Sequence, residues 1–543
     1  MEQIESNGLF YRLKSEERTN FVMNEYFYSV LPKDYIEYKR LENGDVYINR
    51  IVKRKDRMTI GIFDTKKKKL RLPLISKQFS LYLNYSSFLL DNFILCYVSI
   101  IKNEIYITKE IGNVQDRKHD FECFSNVYLS TNTNIEIENT YSESFLQNDE
   151  VKDQRMLYTF NIDPKGSLDF DDAISVDSNL GIIYIHIVDI DYHLKQLSIE
   201  DIEKRAFELG QTLYLSEGNV NLFPKEYCDY KFSLVKDEQR RVITLEYHLE
   251  TDSYRLYRSV IIIKERYDYE SAQEALEKGQ DVLVYLDKVI QKPRWIYSSF
   301  QLPQRKLVIR NGEVEHIEFH SSNRVNKIIE ALMIMTNRKV TEHLEGIIPE
   351  RYHKESDKDI LIDTDNPIDI IERLKLYKLA KYSNLDSGHY ALKIPLYTHF
   401  TSPIRRSFDI IIHHILAGSR YSSRTLTQLL EHINERCNEN TRIVDCYERC
   451  KILSYFEKNR EHRMILSSIT KNGINVYLPE SGYYDFIHIS KIMKGVRWNY
   501  SLDEKLVSTN GIILEKGKEC FVSICSINWF ELAVNEYIIR EFL

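Results

Sequence analysis

Asp163, Asp169, Asp171 and Asp172 lie close together in the segment NIDPKGSLDFDDAISV. Ionised carboxylates this near one another repel strongly, so the cluster calls for a multivalent cation or for raised pKa values. Mg²⁺ favours such oxygen donors and usually keeps waters and substrate phosphates as its other ligands. This donor set suits metal-assisted phosphodiester cleavage, in which one ion readies a water and another stabilises the leaving oxygen. An EF-hand loop is excluded, because neither Asp163 nor Asp169 as first ligand places Gly at the sixth and Glu at the twelfth position. A solvated acidic turn remains an alternative, whereas helix capping would not need all four side chains.

A second segment, THFTSPIRRSFDIIIHHIL, supplies positive charge. Pro403 suits a first helical turn, and the apolar run predicts a helix over Ile404–Leu416. Arg405 and Arg406 then fall near a helix start, where backbone N–H groups already favour anions. A guanidinium clamps phosphate through two parallel hydrogen bonds. An acidic metal loop and an arginine-bearing helix start make a phosphoryl-transfer pair; the alternative for the arginines alone is a surface salt bridge.

The elements that must position these groups follow from hydrophobic periodicity. TFNID predicts a strand, PKGSLDFDD a loop, and AISVD with IIYIHIVDI a hairpin turning at Asn179-Leu180-Gly181. Apolar spacing predicts helices over Ile328–Leu344 and across Thr425–Phe456, the latter as one or two. Short apolar runs between charged turns over residues 35–115, and again over 463–540, predict two small β-barrels. A polar stretch from Ser125 to Asp153 marks a boundary. The layout is β-barrel, mixed α/β core, β-barrel.

A chain of 543 residues exceeds one hydrophobic core, so roughly two to four domains are expected. No apolar run of about 18 or more residues exists, which argues against a membrane partner. MEQIESNGLF lacks the basic-then-apolar order of a signal peptide. The 8 cysteines are scattered without zinc spacing, which points to reduced thiols and a cytoplasmic protein. A net charge of −7 argues against a general nucleic-acid coat but leaves room for a local basic groove. The runs Lys53, Arg54, Lys55 and Arg57, and Lys66–Lys69 with Arg71, are either solvated faces, the usual case for a charge run, or part of such a groove, and the 38 tyrosines offer rings for base stacking.

At these two segments the sequence resembles the RNase II/RNase R family, the RNB exoribonucleases that include the catalytic core of Dis3. NIDPKGSLDFDDAISV resembles the family's acidic signature and YTHFTSPIRRSFDIIIHH its second one. Between them, in family order, GQTLYLSEGNVNLFPKEY, RYDYESAQEALEKG and VNKIIEALMIMTNRKV resemble further family segments, and Arg351 with His353 matches a short motif. The resemblance covers about 158–455; residues 463–540 resemble an S1 domain and 56–115 a cold-shock-like barrel.

The implied fold is α+β and multidomain: a truncated first cold-shock-like region over 1–52, a cold-shock-like OB barrel over 53–120, a connecting segment over 121–157, a mixed α/β RNB catalytic domain over 158–460 and an S1-like OB barrel over 461–543. The resemblance leaves no room for an additional N-terminal nuclease domain. The implied activity is processive 3′-to-5′ hydrolysis of single-stranded RNA to nucleoside 5′-monophosphates by a monomer using Mg²⁺, with Mn²⁺ as an alternative ion. Asp163 and Asp172 would ligate the metal, with Asp169 and Asp171 completing the metal and water site. Asp171, Asp169 and Arg405 would carry the chemistry. Tyr214, Tyr269, Glu330, Arg405 and Arg406 would bind RNA.

Departures from the family are Ser407 and Phe408, where an aromatic and then a small residue or proline are usual, and the lack of a clear aromatic end-clamp near 295–305, for which Trp295 or Phe300 are candidates. Two rivals stand beside this reading: a catalytically weak RNB-type RNA-binding or regulatory protein, which should have lost an aspartate, and a DNA exonuclease. His413 and His414 are expected to be packing or surface groups, and His399 a supporting hydrogen-bonder.

Overall fold

The structure, a computed structural model, describes residues 2–542 apart from 7–10, 14, 16–18, 23–29, 32–33, 55, 76–79, 102–103, 131–138, 142–143, 147–150, 198–199, 293–303, 356–369, 371–378, 494, 502–504 and 510. Its centre is a mixed sheet of five principal strands: β1 (Thr159–Asp163), β2 (Asp172–Asp177), β3 (Ile182–Val188), β4 (Gln239–His248) and β5 (Tyr254–Asp268). Each pairs with the next in antiparallel fashion from β1 to β5, except that β3 passes to β4 across a long insertion. β5 is long enough to do two jobs. Its first part pairs with β4, and its last residues run parallel to β1, so the pairings close into a ring.

The predicted hairpin is present. Asp177 Oδ1 accepts the N–H groups of Asn179 (3.1 Å) and Leu180 (3.0 Å), and Gly181 takes a φ of +63°, which reverses the chain into β3. Because the ring has both faces covered, β-branched residues fill it, as in IIYIHIV. One buried polar residue from each strand then forms a hydrogen-bonded series: Thr159–Ser175 at 2.7 Å, Ser175–His186 at 3.0 Å, His186–Thr244 at 2.9 Å and Thr244–Ser259 at 2.6 Å. Burial pushes the His186 imidazole down to about 3, so it serves as a neutral bridge.

Helices cover this ring and lead to the site. α1 (Tyr269–Glu277) continues directly from β5 through a capping box at Asp268 and Ser271. α2 (Arg324–His343) starts at a similar box on Asn323. α3 (Ser407–Leu416) is buried at every position, and α4 (Ser423–Lys458) is a single helix of 36 residues.

Flanking the core are β structures at both ends. Residues Glu2–Lys53 contribute a four-stranded sheet and Arg57–Asn113 a five-stranded one. The C-terminal part forms a five-stranded sheet over Glu461–Phe542 with a smaller three-stranded one beside it. The two outer regions touch: Arg71 pairs with Glu531, and the rings of Phe93 and Phe530 lie 6.2 Å apart. The architecture is α+β, with OB-like β regions around a mixed α/β core. Among the described residues no helix is long and apolar enough to cross a membrane.

Two details differ from the sequence expectation, and a third settles between its alternatives. The polar stretch after residue 120 opens with a helix, Asp120–Leu129, whose Cys123, Phe124, Val127 and Tyr128 are buried against the core. The apolar run after Pro403 becomes helical only at Ser407, because Pro403, Ile404 and Arg405 form a turn closed by the Arg405 and Arg406 N–H groups on the Ser402 carbonyl. Of the one or two helices expected from Thr425 onward, the structure has one.

Candidate active site

The acidic loop is held at both ends by the sheet. Asp163 ends β1 and sits beside Asp268 at the end of β5; Asp172 begins β2 opposite Ile187. Between them the chain is pinned by Phe170, which is buried among core side chains and covered by the Arg266 guanidinium at 4.1 Å from its ring. Ser233 accepts the Phe170 N–H (3.0 Å) and donates to the Leu168 carbonyl (2.6 Å), while Arg266 donates to the Ser167 carbonyl (2.8 Å). A bulky apolar residue among four aspartates thus works as an anchor that orients its charged neighbours.

The turn before α3 reaches this loop. The Ile404 N–H donates to Asp171 Oδ1 at 2.8 Å, and Arg405 Nε lies 3.3 Å from Asp171 Oδ2. Asp171 is 3% exposed, whereas the Arg405 side chain is 45% exposed, so the guanidinium holds a buried carboxylate with one side and faces the open site with the other. Arg405 Nη2 also donates to Ser402 Oγ (2.8 Å). Tyr214, on the hairpin of strands Leu213–Leu215 and Gly218–Val220, donates its hydroxyl to Asp169 Oδ2 at 3.2 Å and is 43% exposed.

The electrostatics match this crowding. Burial raises the Asp163 carboxyl well above the usual range, with Asp172, Asp171 and Asp169 adding to it. Burial pushes Asp171 up to about 8 and Asp172 up to about 6, with Arg405 opposing in both cases. Tyr269, the first residue of α1, is also raised, by burial and then by Asp172 and Asp163, with Glu330 of α2 contributing. Tyr269 therefore borders the acidic centre, and Glu330 lies on the side of Tyr269.

Asp163 Oδ2 is buried without a hydrogen-bond partner. An orphaned hard oxygen donor among charge-suppressed carboxylates fits a divalent cation. Among the described residues no three His, Cys, Asp or Glu side chains stand in an arrangement that could hold a metal by themselves. Asp171 and Asp169 are instead engaged by Arg405 and by Tyr214. Mg²⁺ needs only one or two carboxylates when waters and substrate phosphates complete its shell, so the donor chemistry still fits.

Arg406, expected to bind RNA beside Arg405, has inward contacts: its Nη2 donates to Asp409 Oδ2 (2.7 Å) and its Nη1 lies 3.2 Å from His399 Nδ1. It precedes the helix and turns inward to fasten the turn. His399 is a supporting group, as expected, and also meets the Tyr382 hydroxyl at 3.0 Å. His413 and His414 are both buried, bonded to the Phe400 carbonyl and the Tyr421 hydroxyl. Ser407 and Phe408 are packing positions: Ser407 donates to the Gly210 carbonyl, and Phe408 stacks on Tyr382 with centroids 3.9 Å apart. Trp295 and Phe300 lie outside the described residues.

Sequence reasoning assigned no role to Asp409 or Asn337. Asp409 accepts the Ser402 N–H (2.8 Å) as well as Arg406, and Asn337 of α2 bridges the Tyr397 hydroxyl (3.2 Å) and the Phe400 N–H (2.8 Å). An Arg-x-x-Asp spacing at a helix start was the available signal for the first. The second has no local signature, because its partners lie about 60 residues away in sequence.

The site is thus a closed sheet ending in an acidic loop, faced by an arginine on a tight turn. Residues 151–419 match the RNB domain. The chain is 26% identical to ribonuclease R of Thermotoga maritima over 414 residues, covering 63% of this chain and 58% of that relative. The chain thus spans less than two thirds of that relative's length. Among solved structures it is similar to Mycoplasma genitalium RNase R in complex with ribose-methylated single-stranded RNA, with a TM-score of 0.78, 18% identity and full coverage of both chains. It is also similar to yeast Ssd1, described as a pseudonuclease, with a TM-score of 0.63 and 14% identity over 90% of this chain and 73% of that one. The chain thus carries an RNB domain and is similar to ribonuclease R relatives.

Proposed function

We propose that this protein hydrolyses single-stranded RNA from the 3′ end to nucleoside 5′-monophosphates, with Mg²⁺ as the resident ion and Mn²⁺ able to replace it. The observation that carries this reading is Arg405, bound to Asp171 on one side and open to the site on the other. A fold shared with a pseudonuclease cannot by itself argue for chemistry. The acidic loop does, because all four aspartates are retained and Asp171 is locked to both the Ile404 N–H and Arg405.

Asp163 and Asp172 would hold the ion, which when bound supplies Lewis-acid charge to the scissile phosphate and makes a water more nucleophilic. Arg405 offsets the negative charge that develops on the phosphate. Tyr269 and Glu330 would fix the terminal nucleotide for attack, and Tyr214 would pack against the nucleotide beside the cleaved bond. The outer β regions would pass the strand inward over basic and aromatic side chains.

The test pairs a binding readout with an activity readout. Adding Mg²⁺ to metal-free protein should raise the thermal midpoint, by offsetting repulsion among buried carboxylates, and should start the degradation of single-stranded RNA. EDTA should reverse both effects. Asp163→Asn with Asp172→Asn should remove the thermal shift. Matched DNA and duplex substrates run in parallel separate RNA exonuclease from DNA exonuclease activity. A chain that melts identically with and without Mg²⁺ and leaves RNA intact is an RNA-binding or regulatory member of the family.

A further inference from the structure

The hairpin carrying Tyr214 consists of two strands of three residues each, too little to be stable by itself. Its support comes from one face of α4. Asn440 donates to the Thr212 carbonyl at 3.1 Å, near the hairpin's base. At its tip, Glu217 Oε2 accepts the Tyr447 hydroxyl (2.7 Å) and lies 2.7 Å from Lys451 Nζ. Tyr447 and Lys451 are one helical turn apart, so both reach the same carboxylate.

Lys451 is completely buried, an unusual place for an ammonium group. Its remaining hydrogen bonds go to the carbonyls of Arg117 (2.9 Å) and Gly312 (2.7 Å), and Asp120 Oδ2 stands 3.4 Å away. Arg117 is buried too, lies 3.4 Å from Asp120, and faces the Trp529 ring at 5.3 Å. Two acidic and two basic side chains therefore balance at the meeting point of the hairpin tip, α4, the 120–129 helix and the C-terminal β region. None of the four is among the residues of the acidic centre.

We infer that Glu217, Tyr447 and Lys451 form a buried brace that fixes Tyr214 over the acidic loop, and that they are positioning residues for the nucleotide beside the cleaved bond. The inference rests on the reading of the acidic centre as an RNA-cleaving site. The brace acts at the hairpin tip: a displaced tip shifts the ring whose hydroxyl bonds Asp169, while the base stays tied to the Arg405 turn by the Thr212 N–H on the Arg405 carbonyl (2.9 Å) and Asp171 keeps the Ile404 N–H. Weakening it should therefore loosen RNA binding more than it slows the bond-breaking step.

The experiment is a double-mutant cycle on the full chain. Affinity for a fluorescent single-stranded oligoribonucleotide is measured in EDTA, and turnover is measured with Mg²⁺. Glu217→Gln and Tyr447→Phe, which keep side-chain shape, should each raise Kd and KM roughly three- to tenfold by weakening a charge-assisted hydrogen bond. Both should leave kcat within about twofold of the parent, the scale expected when a group is uncoupled from the chemistry. In a Tyr214→Ala background the same substitutions should add less than about twofold to Kd. Unchanged Kd in both variants, or full additivity with Tyr214→Ala, overturns the brace. Lys451→Met removes a buried cation that faces both Glu217 and Asp120 and is a folding test only. If the parent cleaves no RNA with any ion, the nuclease reading fails, while the cycle measured in EDTA still decides whether the brace sets RNA affinity.

Discussion

Asp171→Asn should leave the chain folded and reduce RNA hydrolysis by at least about 10³-fold, the scale seen when a preorganised charge at a phosphoryl or acyl centre is removed. One Asp171 oxygen accepts the Ile404 N–H and the other faces Arg405. An asparagine can keep the first bond through its carbonyl. Its amide N–H₂ then points at the guanidinium, so Arg405 loses its anchor just as the centre loses a negative charge. Stability should move the other way. Burial holds this carboxyl up to about 8, so at pH 7 the unfolded chain ionises it freely while the folded chain must keep a proton or bear an unfavourable charge. That cost is absent below the ordinary carboxylate pKa, grows as pH rises toward 8, and is missing from the variant at every pH. Without divalent ions at pH 7, the variant should melt no lower than the parent. Single-turnover rates and thermal melts on the same preparation check both halves. Full activity in the variant would remove Asp171 from the chemistry.

Arg405→Ala should lower kcat by about 10²–10³-fold, because the group opposing charge on the phosphate is lost. Arg405→Lys should restore only part of this, since an ammonium cannot span Asp171, Ser402 Oγ and a phosphate as a planar fork does. The neighbouring arginine provides the control. Arg406→Ala strips the buried Asp409 of its cation and should destabilise the chain by roughly 3–5 kcal/mol, as breaking a buried pair does. Its rate per folded molecule should fall much less than that of Arg405→Ala. Denaturant melts and kcat measured across the three variants separate the roles. Equal loss of kcat per folded molecule in both alanine variants would contradict the assignment.

That contrast shows where the sequence was informative. The four aspartates were legible because they are nearly contiguous and because four like charges in one loop need an explanation. The core hairpin was legible because its strands are β-branched and its turn holds Asp177 and Gly181 at the places that reverse a chain. The division of labour between Arg405 and Arg406 was not legible. It depends on the chain forming a turn at Pro403–Arg405 and becoming helical only at Ser407, and a shift of three residues at a helix start rotates neighbouring side chains to different sides. The buried helix over Asp120–Leu129 was hidden because it is only ten residues long and runs into the polar stretch that follows it. The partnership of Tyr214 with Asp169, and of its hairpin with Lys451, links residues tens to hundreds of positions apart and leaves no local pattern.

The most direct measurement follows a single-stranded RNA labelled on its 3′-terminal nucleotide, incubated with the protein and Mg²⁺, with the released label identified by chromatography. The expected first product is a labelled nucleoside 5′-monophosphate, formed before any internal fragment, and blocking the 3′ end should suppress it. Label that stays on longer fragments, or degradation that ignores a blocked 3′ end, would contradict 3′-to-5′ exonucleolytic hydrolysis at the Asp171–Arg405 centre.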